Sequence, residues 1–164
     1  MMMKKVFIFL SLAIIIVVAI AGCVKEEKKN VDINYQDDEF LTWFQITSKT
    51  MQLYLNYTTD ALTSHNWQEA KFWAEELMNF SDEQMTACMT FYLSEKYDTL
   101  RDRYYQVLND IYLASYYTEQ AVIDLENYDY DSMDENIDRA VDYFHQTKVD
   151  LDICIQIIHS WGIE

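Results

Sequence analysis

From Phe40 onward, apolar residues return every three or four positions, the spacing of one face of an α-helix. Phe40, Phe44, Met51, Tyr54, Ala61 and Leu62 form a first stripe, widened by Trp43 and Leu55. Asp37 and Asp38 stand at its head, where carboxylates suit the positive end of the helix dipole. His65-Asn66 breaks the pattern, and Asn66 followed by Glu69 is a helix-starting signal. A second stripe runs Ala70, Trp73, Leu77, Phe80, Gln84, Ala87, Phe91. A third runs Leu93, Tyr97, Leu100, Tyr104, Val107, Ile111, Ala114, Thr118, Ala121, Leu125, alternating steps of four and three like a coiled-coil seam. Asn127 to Asp131, NYDYD, reads as a loop ending in a capping Asp. The last stripe is Met133, Ile137, Val141, Phe144, Leu151, Ile155, Ile158, interrupted at Lys148.

The second boundary has two readings. Ser81 with Gln84 resembles a capping box, but a turn there would leave a third helix of about 45 residues, nearly 68 Å long, that its neighbours could not cover. A turn near Ser94-Glu95-Lys96 gives four helices of about 28–31 residues that bury one another's stripes. The expectation is an all-α, antiparallel four-helix bundle over residues 36–164, built of two long helical hairpins, with Ser81 marking at most a kink.

Composition strengthens the all-α reading. The chain has no proline, and its two glycines are Gly22 and Gly162. The 126 residues from Gln36 to Trp161 hold neither type, where average usage would place roughly 15. Sheet turns and bulges lean on glycine, so the expectation is an almost wholly helical chain and not a multi-stranded sheet. Net charge is −16, and from Gln36 onward 7 Lys and Arg face 25 Asp and Glu. Such a surface repels nucleic acid and anionic headgroups, and favours solubility, cations and basic partners.

The N-terminus has its own pattern. Met1 to Lys5 is basic, Val6 to Ile20 is apolar apart from Ser11, and Ile20-Ala21-Gly22-Cys23 follows. Basic start, apolar run and small residues make a secretory signal. The cysteine after Ala-Gly resembles the lipobox of bacterial and archaeal membrane lipoproteins, a likeness confined to roughly the first 23 residues. It implies cleavage between Gly22 and Cys23, with a lipid on the Cys23 thiol. The competing reading is an uncleaved anchor, since Val6 to Val24 is 19 uncharged residues and can span a bilayer. In both, Lys4 and Lys5 put the following domain outside the cytoplasm. The expected organisation is a signal peptide at 1–22, the lipidated cysteine and a charged linker at 23–35, and the bundle beyond. The linker reaches at most about 40 Å. Its Lys25, Lys28 and Lys29 either rest on lipid phosphates or are simply solvated.

Beyond Cys23, two cysteines remain. With equal helices, Cys88 and Cys154 stand within about 2 Å of the same height on parallel helices, which makes them a candidate disulfide outside the cytoplasm. Helices two and four are diagonal in a square bundle, so a bridge requires flattening; buried reduced thiols are the alternative.

Chemistry-bearing constellations are sparse. Asp142-Tyr143-Phe144-His145 approaches a di-iron pair once only, His65, His145 and His159 lack zinc spacing, and Asp129-Tyr130-Asp131 lacks the rest of a calcium loop. No metal, cofactor or catalytic set is expected. Asn56-Tyr57-Thr58 and Asn79-Phe80-Ser81 are sequons inside helical stripes. The thirteen tyrosines are the unusual feature, and Tyr105, Tyr112 and Tyr116 form a line beside the third seam. That line is either core packing with phenols at the rim or an aromatic interaction face. The leading expectation is a membrane-tethered, non-catalytic module acting through an unidentified protein partner, and the alternative is a binder of a small ligand, cation or glycan.

Overall fold

The computed structural model describes residues 35–162. The signal region, Gly22 and Cys23 lie outside the described residues. Within them the chain is four helices with no strand: α1 (Asp37–Thr63), α2 (Trp67–Cys88), α3 (Glu95–Glu126) and α4 (Tyr130–Ser160). α1 packs on α2, α2 on α3 and α3 on α4. Contacts fix the directions. Trp43 meets Gln84 while Tyr57 meets Trp73, so α1 and α2 are antiparallel. Tyr97 meets Trp161 while Tyr117 meets Tyr143, so α3 and α4 are antiparallel too. α1 and α3 run the same way, since Asp37 bonds Ser94 and Thr47 bonds Tyr104.

Two turns solve a problem that glycine usually solves. After α1, His65 takes a left-handed φ of 59°, and after α3, Tyr128 takes 61°. In each, the amides of that residue and of the next bond back into the helix: His65 N to Leu62 O and Asn66 N to Ala61 O, then Tyr128 N to Leu125 O and Asp129 N to Asp124 O. This is the Schellman pattern. The residue closing each turn also caps the next helix. Asn66 accepts from the Glu69 amide, and Asp129 accepts from the Ser132 amide. The cap of α4 is therefore Asp129, two residues earlier than Asp131, and the loop shrinks to Asn127–Asp129.

The third turn lies where the length argument puts it, with Ser94 as the cap of α3. Ser81 produces no break: it is buried in α2 and donates to the Leu77 carbonyl at 2.8 Å. The helices are less equal than expected, at 27, 22, 32 and 31 residues. α2 stops at Cys88 because the next segment folds back onto the start of α1. Phe91 packs its ring on Phe40 and Trp43, and Leu93 is buried. Gln36 exchanges two hydrogen bonds with Tyr92, and the Asp37 carboxylate accepts from the Ser94 amide and hydroxyl at 2.9 and 2.7 Å. One carboxylate thus serves the positive ends of both α1 and α3.

The third seam holds from Tyr97 to Ala121, with Leu108, Ser115 and Val122 buried beside it. α3 is the central helix, covered on more than one side. The seam of α4 is corrected: Ala140, Thr147 and Cys154 are buried rather than Val141 and Ile155, which removes the interruption at Lys148. α2 likewise buries Ala74, Ser81 and Cys88 instead of Trp73 and Phe80. Small side chains let it approach its neighbours and leave its aromatics at the edge. Several core hydroxyls are satisfied by carbonyls one turn back, those of Thr58, Thr59, Thr118 and Thr147 among them, while the buried Ser115 hydroxyl has no partner.

Tyr128 is 78 % exposed, so its side chain contributes little packing while its backbone bears the left-handed strain. Tyr128→Gly is expected to raise unfolding free energy by about 0.5–1 kcal/mol in a denaturant titration, with Tyr128→Ala giving no gain.

Candidate functional site

The candidate face Tyr105, Tyr112 and Tyr116 is not one exposed surface. Tyr105 packs against the core, Tyr112 is half-buried, and only Tyr116 is exposed, at 40 %. Tyr116 meets Tyr117 edge-on at 5.2 Å. Tyr117 in turn stacks on Tyr143 at 5.7 Å, with the Arg139 guanidinium over its ring. These rings chiefly join α3 to α4.

The larger exposed apolar surface lies elsewhere. Ile46 at 60 %, Leu53 and Tyr57 face outward from α1, and Phe72 at 50 % faces outward from α2. Tyr57 lies 4.5 Å from Trp73, and Trp73 lies 5.0 Å from Phe72. Tyr54 continues the line, touching Trp73 and Phe80. The band follows from the packing of α2: burying its small residues turns Trp73 and Phe80 toward the groove beside α1. A signal for it was present in the sequence. Ile46, Leu53 and Tyr57 are apolar positions outside the first stripe, and Lys49 is the only charged residue from Phe40 to Thr59.

Of the two alternatives for the cysteines, the structure holds buried reduced thiols and not the bridge. Cys88 and Cys154 are free thiols, both fully buried. α2 and α4 each pack on α3, and the Cys88 thiol points to the Arg101 carbonyl at 3.7 Å. Burial pushes both thiols up to about 12; the Arg101 charge opposes this at Cys88, and the Asp150 charge adds to it at Cys154. Thiols held that high carry little thiolate and react slowly.

One polar cluster was missed altogether. Asp110 on α3 and Asp150 on α4 are both buried. Asp150 accepts from Arg103 Nη1 at 3.3 Å and from Gln146 Nε2 at 3.0 Å. One oxygen of Asp110, Oδ2, is buried without a hydrogen-bond partner. Burial raises the Asp110 carboxyl from 3.8 to about 6, helped by the Asp150 charge and a hydrogen bond shared with it, and opposed by a hydrogen bond from Asn109. A proton on Asp110, given to Asp150, satisfies both carboxyls at once. Sequence patterning hides the pair, because Asp110 falls between seam positions and Asp150 looks like a solvated acid.

Asn56 and Asn79 of the two sequons are exposed, while Thr58 and Ser81 are buried in helices. His65 shapes the first turn, and His145 and His159 lie on the exposed side of α4. Among the described residues no group of three or more His, Cys, Asp or Glu could hold a metal ion, and no helix is long and apolar enough to cross a membrane. No family model, curated protein or solved structure matches the chain.

The Asp110 shift has a definite sign. The folded state holds the proton more tightly than the unfolded chain, so its stabilisation is full below pH 3.8 and is lost as pH rises through about 6. Asp110→Asn keeps a donor for Asp150 without titrating. By pH 7 it is expected to be more stable than the wild type by roughly 2–3 kcal/mol, with the gap closing toward pH 4. Denaturant titrations of both proteins at stepped pH check this.

Proposed function

We propose that the chain is a lipoprotein, cut before Cys23 and held by lipid on the outer face of a cell membrane, whose helical bundle works by protein contact rather than by catalysis. The leader supports the tether: a basic start, an apolar run and Ile20-Ala21-Gly22-Cys23. The observation that carries the contact reading is the outward apolar band of Ile46, Leu53, Tyr57 and Phe72 on an otherwise acidic domain. Exposed contiguous apolar surface rimmed by polar residues marks interaction sites. Tyr116 is a second, smaller contact point. The clamp of Gln36 and Asp37 onto Tyr92 and Ser94 anchors the start of the bundle, so the linker meets a fixed point on the domain.

A small-ligand reading, for a cation, draws on Asp110 and Asp150. Arg103 already supplies positive charge to Asp150, and burial raises the Asp110 carboxyl to about 6, so below that pH the pair suits proton sharing better than cation binding. Heat with calcium or magnesium in calorimetry, lost in Asp110→Asn, would reverse that ranking.

Mass spectrometry of the mature N-terminus tests the tether. The wild type is expected to begin at Cys23 with a lipid-sized mass addition, and Cys23→Ala is expected to remain unprocessed and unlipidated. A wild type that retains Met1 would establish the uncleaved anchor instead, and a secreted chain without lipid would refute the tether.

A further inference from the structure

The band on α1 differs from the rest of the surface in charge as well as in polarity. From Phe40 to Thr59 the helix carries one charge, Lys49, and no acid, over about 30 Å. The remaining helices carry acids along most of their length, and where α3 lacks an exposed one, from Tyr104 to Thr118, only Gln106 and Tyr116 are exposed; the chain as a whole is at −16. Two copies of such a chain repel across most orientations. Charges more than a Debye length from a contact, about 8 Å at physiological ionic strength, are screened, so the acids close to the contact decide whether it forms. The outward side of α1 is where that penalty is least.

We propose that two copies of this chain meet through the outward face of α1, centred on Leu53; this deepens the contact reading by naming the partner. Ile46, Thr50, Leu53 and Tyr57 are spaced four, three and four residues apart, the repeat of a helix-pairing seam. Phe72, joined to Tyr57 through Trp73, widens the strip. The charges complement one another about the centre. Lys49 lies four residues before Leu53 and Asp60 seven after it. An antiparallel pair centred on Leu53 therefore sets each Lys49 against the second copy's Tyr57, within a turn of its Asp60. The two α1 starts are then about 48 Å apart along the pair. With linkers that reach about 40 Å, both anchors enter one membrane when the pair lies along it. Confinement to that membrane raises the encounter rate without any new contact.

Single cysteines placed in the full chain, expressed in its membrane and treated with a short bismaleimide, test the pairing. Leu53→Cys is expected to give about tenfold more two-copy product than Val149→Cys, an exposed site on α4. Adding Ile46→Asp to Leu53→Cys is expected to abolish the product, with the helical circular dichroism signal unchanged. Equal crosslinking at Leu53→Cys and Val149→Cys, no product at Leu53→Cys, or a product containing a different protein would each overturn the proposal. Membrane fractionation of the same cells reads the tether separately, so a chain found in the soluble fraction counts against the tether and leaves the crosslinking result to judge the pairing.

Discussion

A phenol in the middle of an apolar core is destabilising unless its hydroxyl finds partners, and Tyr104 finds two. Its side chain is fully buried, and its oxygen lies 2.9 Å from the Thr47 hydroxyl and 3.0 Å from that of Ser48. Burial pushes the Tyr104 hydroxyl well above its usual range, so it stays neutral. The ring meets Phe44 and Trp43 edge-on at 4.4 and 5.5 Å. Trp43 then donates to Gln84 on α2 and packs on Phe91 of the folded-back loop. One side chain of α3 is thereby coupled to α1, and through Trp43 to α2 and to the loop over the end of the bundle. α1 needs this link, since its close helix neighbour is α2.

Much of the fold was legible in the chain because its strongest signals are negative. A long stretch without glycine or proline leaves helices as the workable structure, and the four-three repeat of the third stripe marks α3 as central. What was misread follows one rule. The apolar stripes leave out several threonines and small residues, yet Thr47, Thr58, Thr147, Ala74, Ser81 and Cys154 lie inside. A hydroxyl that bonds to the carbonyl one turn back is nearly apolar to its surroundings, and hydropathy does not register this. Small residues and back-bonded hydroxyls together move the α4 seam off Lys148 and turn Trp73 and Phe80 toward α1. Glycine's absence also left its mark at the turns, where His65 and Tyr128 hold left-handed backbone that glycine would hold at lower cost.

The surface was harder to read than the core. Tyrosine count drew attention to Tyr105, Tyr112 and Tyr116, but three residues on one line of a helix are exposed only if no neighbour covers them, and that depends on the packing of α2 and α4. The missing charge on α1 was the better clue. Acidic side chains tolerate exposure over most of this chain, so the stretch of α1 from Phe40 to Thr59 that excludes them carries information that its apolar periodicity does not. Asp110 and Asp150 were invisible for the opposite reason: in so acidic a sequence, two more acids look like solvated surface. Burial and their mutual repulsion distinguish them, and both are tertiary properties.

The central structural claim is that Tyr104 couples α3 to α1 through hydroxyl contacts as well as through its ring. The most direct measurement is a double-mutant cycle of Tyr104→Phe and Ser48→Ala, read by denaturant unfolding of the full chain. Each single variant is expected to lose about 1–2 kcal/mol, and the double variant to lose clearly less than the two together, because both remove the same bond. Losses that simply add, or a Tyr104→Phe variant as stable as the wild type, would contradict it.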